Sequence, residues 1–208
     1  MLSDKEFDLW ANGYDKSVGL SDEEGTYPFA GYKKILNEIY NRILCSSGRD
    51  VLDIGFGTGT LTTKLYEQGC TIYGQDFSRK MLELAQEKMP DAKLYLGDFS
   101  QGLAAELKAR KYDTIIATYS LHHLTDTQKI SFIRELLTLL KENGCVYIGD
   151  VSFAARNDLD ACMVLAGDEW DDEEFYFVYE ELKPYFPNMT FEKFSECSGL
   201  LVISKEGN

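Results

Sequence analysis

The amino-acid sequence predicts an α/β fold, a doubly wound sheet of mostly parallel strands with helices on both faces. Three observations support this prediction. Short apolar runs alternate with helical patterns, a glycine-rich turn joins the first such run to a helix, and the last two apolar runs have a hairpin pattern. Strands that are each followed by a helix are typical of a parallel sheet. The length of 208 residues suits a single domain.

The front of the chain alternates between helix and strand patterns. Apolar residues recur there at helical spacing, and Ser78 is a residue type that caps helix N-termini. Gly69 and Pro90 mark helix ends. We therefore predict a helix over 29–43, a strand over 50–54, a helix over 58–68, a strand over 70–76, a helix over 78–89 and a strand over 93–96.

The middle of the chain continues this alternation. Thr125 and Gln128 fit a capping box, which predicts the start of a helix. We expect Asn143-Gly144 to end this helix and its core-facing stripe to consist of Ile130, Ile133, Leu137 and Leu140. The other elements predicted here are a helix over 103–109, a strand over 112–118 and a fifth strand over 145–149.

The last quarter has a different pattern. An acidic run over 168–174 indicates a loop that leads into a helix reaching Tyr185. Two apolar segments, 189–196 and 200–204, flank Ser198-Gly199, and this arrangement predicts an antiparallel hairpin. The aromatic residues near the acidic run could line a pocket or pack onto the sheet. These residues are Trp170, Phe175, Tyr176 and Phe177.

The charge balance excludes several classes of partner. With 21 basic and 35 acidic residues, the net charge is −14, which disfavours nucleic acids and anionic membranes. We expect no membrane span and no signal peptide, since the apolar runs are short and the start is polar. Five cysteines without a Cys-x-x-Cys pair, and two adjacent histidines, predict reduced thiols in the cytoplasm and no metal site.

A glycine motif is the strongest functional signal in the sequence. Gly55, Gly57 and Gly59 follow the first predicted strand and precede a helix, so a ligand could approach the backbone beside a helix N-terminus. The dinucleotide pattern of NAD-binding proteins requires a small residue at position 60, where this chain has Thr60. The spacing here is Gly-x-Gly-x-Gly, and glycines at such positions also occur in plain turns.

Two acidic residues support a nucleoside ligand. Asp76 ends the second strand, 21 residues after Gly55, where a carboxylate can accept hydrogen bonds from ribose hydroxyls. Asp98 follows the third strand and could accept from an adenine amino group, with Phe77 and Phe99 on the two faces of the ring. The alternative is that both acids are turn residues and both phenylalanines belong to the core.

With these motifs the sequence resembles the class I S-adenosylmethionine-dependent methyltransferases, and more narrowly the bacterial YrrT-type members. The resemblance covers nearly the whole chain. It implies that Asp53 braces the glycine motif and that Tyr14, within Trp10–Asp15, covers the cofactor. The segment Ser120–Leu124 is also similar to the family. The implied fold is Rossmann-like, with seven strands and the last one antiparallel.

The resemblance implies direct in-line transfer of a methyl group from S-adenosylmethionine to a small molecule. It also implies a division into an N-terminal helical lid (1–45), a cofactor-binding core (46–150) and an acceptor side with the hairpin (151–208). The chain lacks the Pro-Pro segment of enzymes that methylate amino groups of nucleic acids, and it lacks a Pro-Cys nucleophile. The alternatives are a non-catalytic S-adenosylmethionine sensor or partner protein and an NAD-dependent oxidoreductase.

No catalytic residue follows from the sequence. His122 or His123 could act as a base just beyond the fourth strand, or they could cap and pack against the next helix. Tyr14 and Tyr119 could position the ligands through their hydroxyls. The sequence leaves the oligomeric state open.

Overall fold

The computed structural model of the protein describes residues 26–205. The predictions for Tyr14, for Trp10–Asp15 and for most of the proposed lid lie outside these residues. The described helices are α1 (Tyr32–Cys45), α2 (Thr60–Glu67), α3 (Arg79–Lys88), α4 (Ala105–Lys108), α5 (Asp126–Thr138), α6 (Arg156–Ala166) and α7 (Tyr179–Leu182). Short 3₁₀ turns lie at Phe99–Gln101, Leu121–His123, Gly167–Glu169 and Lys183–Tyr185.

The strands form one large sheet. They are β1 (Asp50–Ile54), β2 (Thr71–Asp76), β3 (Lys93–Leu96), β4 (Tyr112–Thr118), β5 (Leu140–Phe153), β6 (Phe177–Val178), β7 (Met189–Lys193) and β8 (Ser198–Ser204). Seven of them lie in the order β3-β2-β1-β4-β5-β8-β7, and β6 pairs with the end of β5. Strands β1 to β5 are parallel and β8 is antiparallel to β5, which confirms the predicted fold class.

The sheet is covered on both faces because its strands are apolar on both sides. Leu52 and Ile54 of β1 pack on one face, which α5 also covers through Phe132 and Ile133. Val51 points to the other face and packs with residues of α1. Chain order reverses between β1 and β4, and ligands of such sheets bind beyond the strand ends at this switch point.

The predicted end of the helix after Thr125 was wrong. The capping box is present, but α5 ends at Thr138 and β5 begins at Leu140. Asn143 lies inside β5 with φ of +61°, a conformation that Asn tolerates, where the pairing with β4 shifts register. The buried stripe also differs from the predicted one, because it consists of Lys129, Phe132, Ile133 and Leu136.

Two further boundaries differ from the predictions. The segment before Tyr185 contains the short β6 and α7, because Phe177 pairs with Ser152 of β5 and interrupts a continuous helix. The C-terminal hairpin is confirmed, but its turn spans 194–197, since Phe194 N–H donates to the Ser198 carbonyl. The division into 1–45, 46–150 and 151–208 stays a prediction. Within residues 26–205, no helix has the length and apolar character that a membrane crossing requires.

We predict that Gly149→Ala destabilises the protein. Helix α1 packs so closely on β5 that a Cβ at Gly149 would lie 2.4 Å from Cγ2 of Ile35. We expect a loss of about 1–3 kcal/mol in the free energy of unfolding, the usual cost of overpacking, measured by urea denaturation. Ser131→Ala on the exposed side of α5 is the control, with a change within about 0.5 kcal/mol. Equal stability of the two variants would contradict this packing.

Candidate active site

The glycine loop (residues 55–59) connects β1 to α2 at the carboxyl edge of the sheet. Gly55, Gly57 and Gly59 have φ values of +71°, +55° and +74°, which side chains rarely adopt. A Cβ built on Gly57 would meet no atom within 4 Å, so the space above it is open. The loop therefore presents bare backbone to a ligand beside the N-terminus of α2.

Asp76 holds the glycine loop in place. Its Oδ2 accepts the Gly57 N–H at 2.8 Å, and its Oδ1 accepts the Ser78 N–H at the same distance. The residue is only 4% exposed. A carboxylate has about four lone-pair sites, so two remain for a ligand. Asp76 thus fixes the shape of the loop, and its role in ribose recognition stays a prediction.

Asp53 lies beneath the glycine loop and lines the cavity described below. Its side chain is buried, and Oδ1 has no hydrogen-bond partner among the described residues. Burial raises the pKa of Asp53 to about 8, and the nearby Asp76 carboxylate adds to the rise. A buried carboxyl oxygen without a partner can accept a hydrogen bond from a ligand or face its cationic group.

The residues predicted for adenine binding occupy different environments. Phe77 is 67% exposed, and Asp98 is exposed with Oδ1 accepting the Ser100 N–H. Phe99 is buried and stacks on Phe132 in the core, with ring centroids 6.0 Å apart. In this structure Phe99 follows the alternative that the sequence left open, packing in the core. The adenine contacts of Phe77 and Asp98 stay predictions.

A cavity of about 300 Å³ adjoins the glycine loop. Its walls combine the loop backbone with aromatic rings and with polar side chains from later parts of the chain. Tyr119 reaches it from the end of β4, and its hydroxyl is buried. Burial raises the pKa of the Tyr119 hydroxyl well above its ordinary value. The other side chains used below are Phe29, Tyr32, His122, His123 and Glu174.

His122 lies between two carboxylates. Its Nδ1 is 2.7 Å from Oδ1 of Asp150, and its Nε2 is 3.4 Å from Oε1 of Glu174. Burial disfavours the charged imidazole, but Asp150 and then Glu174 outweigh it and raise the pKa of His122. His123 is more exposed than His122. Partial burial of its ring, and then the charge of the neighbouring His122, lower the pKa of His123. Both histidines line the cavity, and the ring of His122 is held by its hydrogen bond to Asp150.

A buried lysine holds Glu174 against this histidine. Lys129 of α5 is fully buried, and its ammonium donates to the carbonyl of Phe175 and, at 3.2 Å, to Asp126. Phe175 N–H in turn donates to the His122 carbonyl at 2.8 Å. Burial lowers the pKa of Lys129. This arrangement fixes the segment that carries Glu174 beside the turn that carries His122.

Asp150 and Lys129 were not predicted as site residues from the sequence, and Glu174 was predicted only as part of the acidic run. Asp150 follows the predicted fifth strand, at the sheet edge where functional acids collect, so a signal for it existed. Lys129 had no such signal, because its burial depends on packing with residues 175–177.

The aromatic residues near the acidic run mostly pack inside the protein. Trp170 stacks on Tyr27, and Tyr176 and Phe177 are buried, whereas Phe175 is 43% exposed.

Comparison with known proteins gives consistent similarities. A family described as "Methyltransferase domain" matches residues 51–144. An uncharacterized methyltransferase of Anoxybacillus flavithermus is 40% identical over 160 residues, covering 77% of this chain and 72% of that protein. One of Geobacillus thermodenitrificans is 35% identical over 193 residues, covering 89% and 86%.

Solved structures show the same fold at low sequence identity. The magnesium protoporphyrin IX methyltransferase of Synechocystis PCC 6803, crystallised with bound S-adenosylhomocysteine, is 19% identical with a TM-score of 0.66 and covers 93% of this chain and 97% of that chain. An S-adenosylmethionine-dependent methyltransferase from Clostridium acetobutylicum is 18% identical with a TM-score of 0.68 and covers 93% and 99%.

We predict that Asp53→Asn changes how stability depends on pH. The pKa of Asp53 is about 8 in the folded protein and about 3.8 in the unfolded chain. Between pH 3.8 and pH 8, the folded protein therefore keeps a proton on Asp53 that the unfolded chain has lost. This group therefore makes stability fall as pH rises through that window, by up to about 1.4 kcal/mol per pH unit. Asparagine removes this contribution.

Urea denaturation between pH 5 and pH 8 measures the effect. We expect the Asp53→Asn variant to gain stability relative to the unmodified protein as pH rises. Asp160→Asn, an exposed acid on α6, is the control and should keep the unmodified pH dependence. Parallel curves for the protein and the Asp53→Asn variant would contradict the raised pKa.

Proposed function

The chain belongs to the methyltransferase family of its bacterial relatives, and we propose that it transfers a methyl group from S-adenosylmethionine to a small molecule. The observation that carries this proposal is the glycine loop held by Asp76, with open space above Gly57. The chain's charge of −14 supports a small acceptor over a nucleic acid or an anionic surface. Five free cysteines support a cytoplasmic location.

The residues present fit this cofactor. Gly57 offers a cradle without a side chain, Asp76 keeps two lone-pair sites for ribose hydroxyls, and Asp53 offers an unpartnered oxygen to a cationic group. Asp98 and Phe77 lie past the ends of β3 and β2, where they could contact adenine. The proposed cover by Tyr14 concerns the residues outside the described range.

When bound, S-adenosylmethionine supplies a methyl group on a sulfonium, which a nucleophile can displace in line. The protein must orient the acceptor and exclude water, and such alignment can supply about 7–11 kcal/mol. The rings of Phe29, Tyr32 and Tyr119 form one wall of the cavity, with centroid separations of 5.1–6.0 Å among them. This wall can exclude water and hold an acceptor beside the glycine loop.

Transfer of a labelled methyl group tests the acceptor class. The full chain would be incubated with methyl-labelled S-adenosylmethionine and a bacterial extract that is separated into dialysable, protein and RNA fractions. We expect label in the dialysable fraction. Label only in protein or RNA would contradict a small-molecule acceptor. Binding of S-adenosylhomocysteine without transfer to any fraction would favour a non-catalytic binding protein.

We predict that Asp76→Asn weakens binding of S-adenosylhomocysteine by about 10- to 100-fold. The asparagine amide keeps the side chain's size but loses the charge-assisted hydrogen bonds to the ribose and to the Gly57 N–H. Isothermal titration calorimetry gives the affinity. Glu87→Gln, an exposed acid on α3, removes the same charge and should bind normally. Unchanged affinity in the Asp76→Asn variant would mean that the ribose site lies elsewhere.

A further inference from the structure

The cluster of Asp150, His122 and Glu174 has the geometry of a proton acceptor. Asp150 is fully buried, and its Oδ1 also accepts the Val151 N–H at 2.8 Å, so the carboxylate is fixed. Its contact with Nδ1 of His122 keeps a proton on that nitrogen. In the neutral ring the lone pair then lies on Nε2, on the side of Glu174 and the cavity.

The charged groups around His122 favour the imidazolium that forms when Nε2 takes a proton. Asp150 faces it from β5 and Glu174 from the segment before β6, while Lys129 of α5 opposes them. His123 lies in the same turn as His122, and its ring packs edge-on against the His122 ring with the two centroids 4.3 Å apart. Tyr176 approaches with its ring centroid at 6.4 Å. The two carboxylates outweigh burial and the lysine, as the raised pKa indicates.

We propose that His122 is the base that removes a proton from the methyl acceptor, and that this acceptor is an aromatic hydroxyl. The inference rests on the proposed function, because it concerns the same cavity. The O–H bond breaks as its proton passes to Nε2 of His122. An oxygen lone pair forms the new O–CH₃ bond, while the S–CH₃ bond breaks and its electron pair stays on sulfur. Asp150 is a positioning residue that stabilises the imidazolium.

The choice of an aromatic hydroxyl rests on the acidity of the acceptor group and on the shape of the cavity wall. A phenol has a pKa near 10, within reach of an imidazole base, whereas an aliphatic hydroxyl is far less acidic. A thiol, with a pKa near 8.5, would also react. The wall of Phe29, Tyr32 and Tyr119 favours a planar ring over a small thiol.

The cluster also provides a route for the proton to solvent. Buried His122 contacts Glu174, whose side chain is 21% exposed, and exposed His123 packs edge-on against the His122 ring. The proton can therefore leave through the rim of the cavity after each transfer.

Metal binding is the competing assignment for these side chains. His122, His123 and Glu174 each place one donor atom within 4.8 Å of the others. We assign the cluster to proton transfer, because the positive charge of the Lys129 ammonium acts on His122 and disfavours a further cation beside it. Titration of the protein with ZnCl₂ tests this assignment. Micromolar zinc binding that His123→Asn abolishes would overturn the proposal.

Nitrogen NMR of the two histidines tests the base directly. The full chain is labelled at its histidine rings and saturated with S-adenosylhomocysteine. Its two histidines give two sets of ring-nitrogen signals, and the set that disappears in the His123→Asn variant belongs to His123. We expect the neutral His122 ring to carry its proton on Nδ1 and to titrate above the ordinary value of about 6.5. Asp150→Asn should lower that pKa by about one unit or more, and exposed Asp172→Asn should not. An ordinary pKa, or a proton on Nε2, would overturn the proposal.

Turnover of matched probes tests the acceptor. Phenol, catechol, 2-mercaptoethanol and pyridine are compared by release of S-adenosylhomocysteine between pH 6 and pH 9. Because only the neutral ring has a lone pair, turnover of the phenols should rise with pH through the pKa of His122. His122→Asn should slow it by about 100-fold or more, with little effect on pyridine, which has no proton to lose.

The outcomes separate this inference from the proposed function. Failure of both phenols to react, reaction of the thiol alone, or full activity of the His122→Asn variant would overturn the inference. In each of these cases calorimetry with S-adenosylhomocysteine still reports on the cofactor site. Absence of that binding would instead overturn the proposed function.

Discussion

The contact between Asp76 and the glycine loop is the interaction on which the rest of the site depends. The Gly57 N–H and the Ser78 N–H both donate to this carboxylate, which ties the loop after β1 to the end of β2. Parallel pairing of Ile54 with Gln75 brings the two strand ends together. The same carboxylate therefore shapes the loop and is the group that we propose for ribose recognition. A change at Asp76 removes both of these contacts and so alters the fold of the loop.

The part of the cavity that holds His122 and Glu174 depends on contacts between distant parts of the chain. Strand β5 places Asp150 behind His122, and Lys129 of α5 fixes the backbone at Phe175. Glu174 thereby reaches the cavity from a segment whose other acids are exposed. Five of the six acids of the run over 168–174 are thus exposed to solvent, and the sixth, Glu174, lines the cavity.

The parts of the fold that could be predicted from the sequence are those that depend on neighbouring residues in the chain. The strands β1 to β4, the capping box at Thr125 and the glycine loop follow from residue types at fixed spacing. The long β5 could not be predicted, since Asn143 adopts a positive φ within the strand instead of ending a helix. The position of Phe99 in the core and the burial of Lys129 depend on tertiary packing, which periodicity does not specify.

Thermal unfolding in the presence of S-adenosylhomocysteine and of NAD tests the central claim most directly. A ligand at 100 times its dissociation constant should add about 2.7 kcal/mol, which corresponds to a rise in Tm of about 5–10 °C for a chain of this size. The account predicts this rise with S-adenosylhomocysteine and none with NAD. A rise with NAD alone would contradict a site for S-adenosylmethionine at the glycine loop.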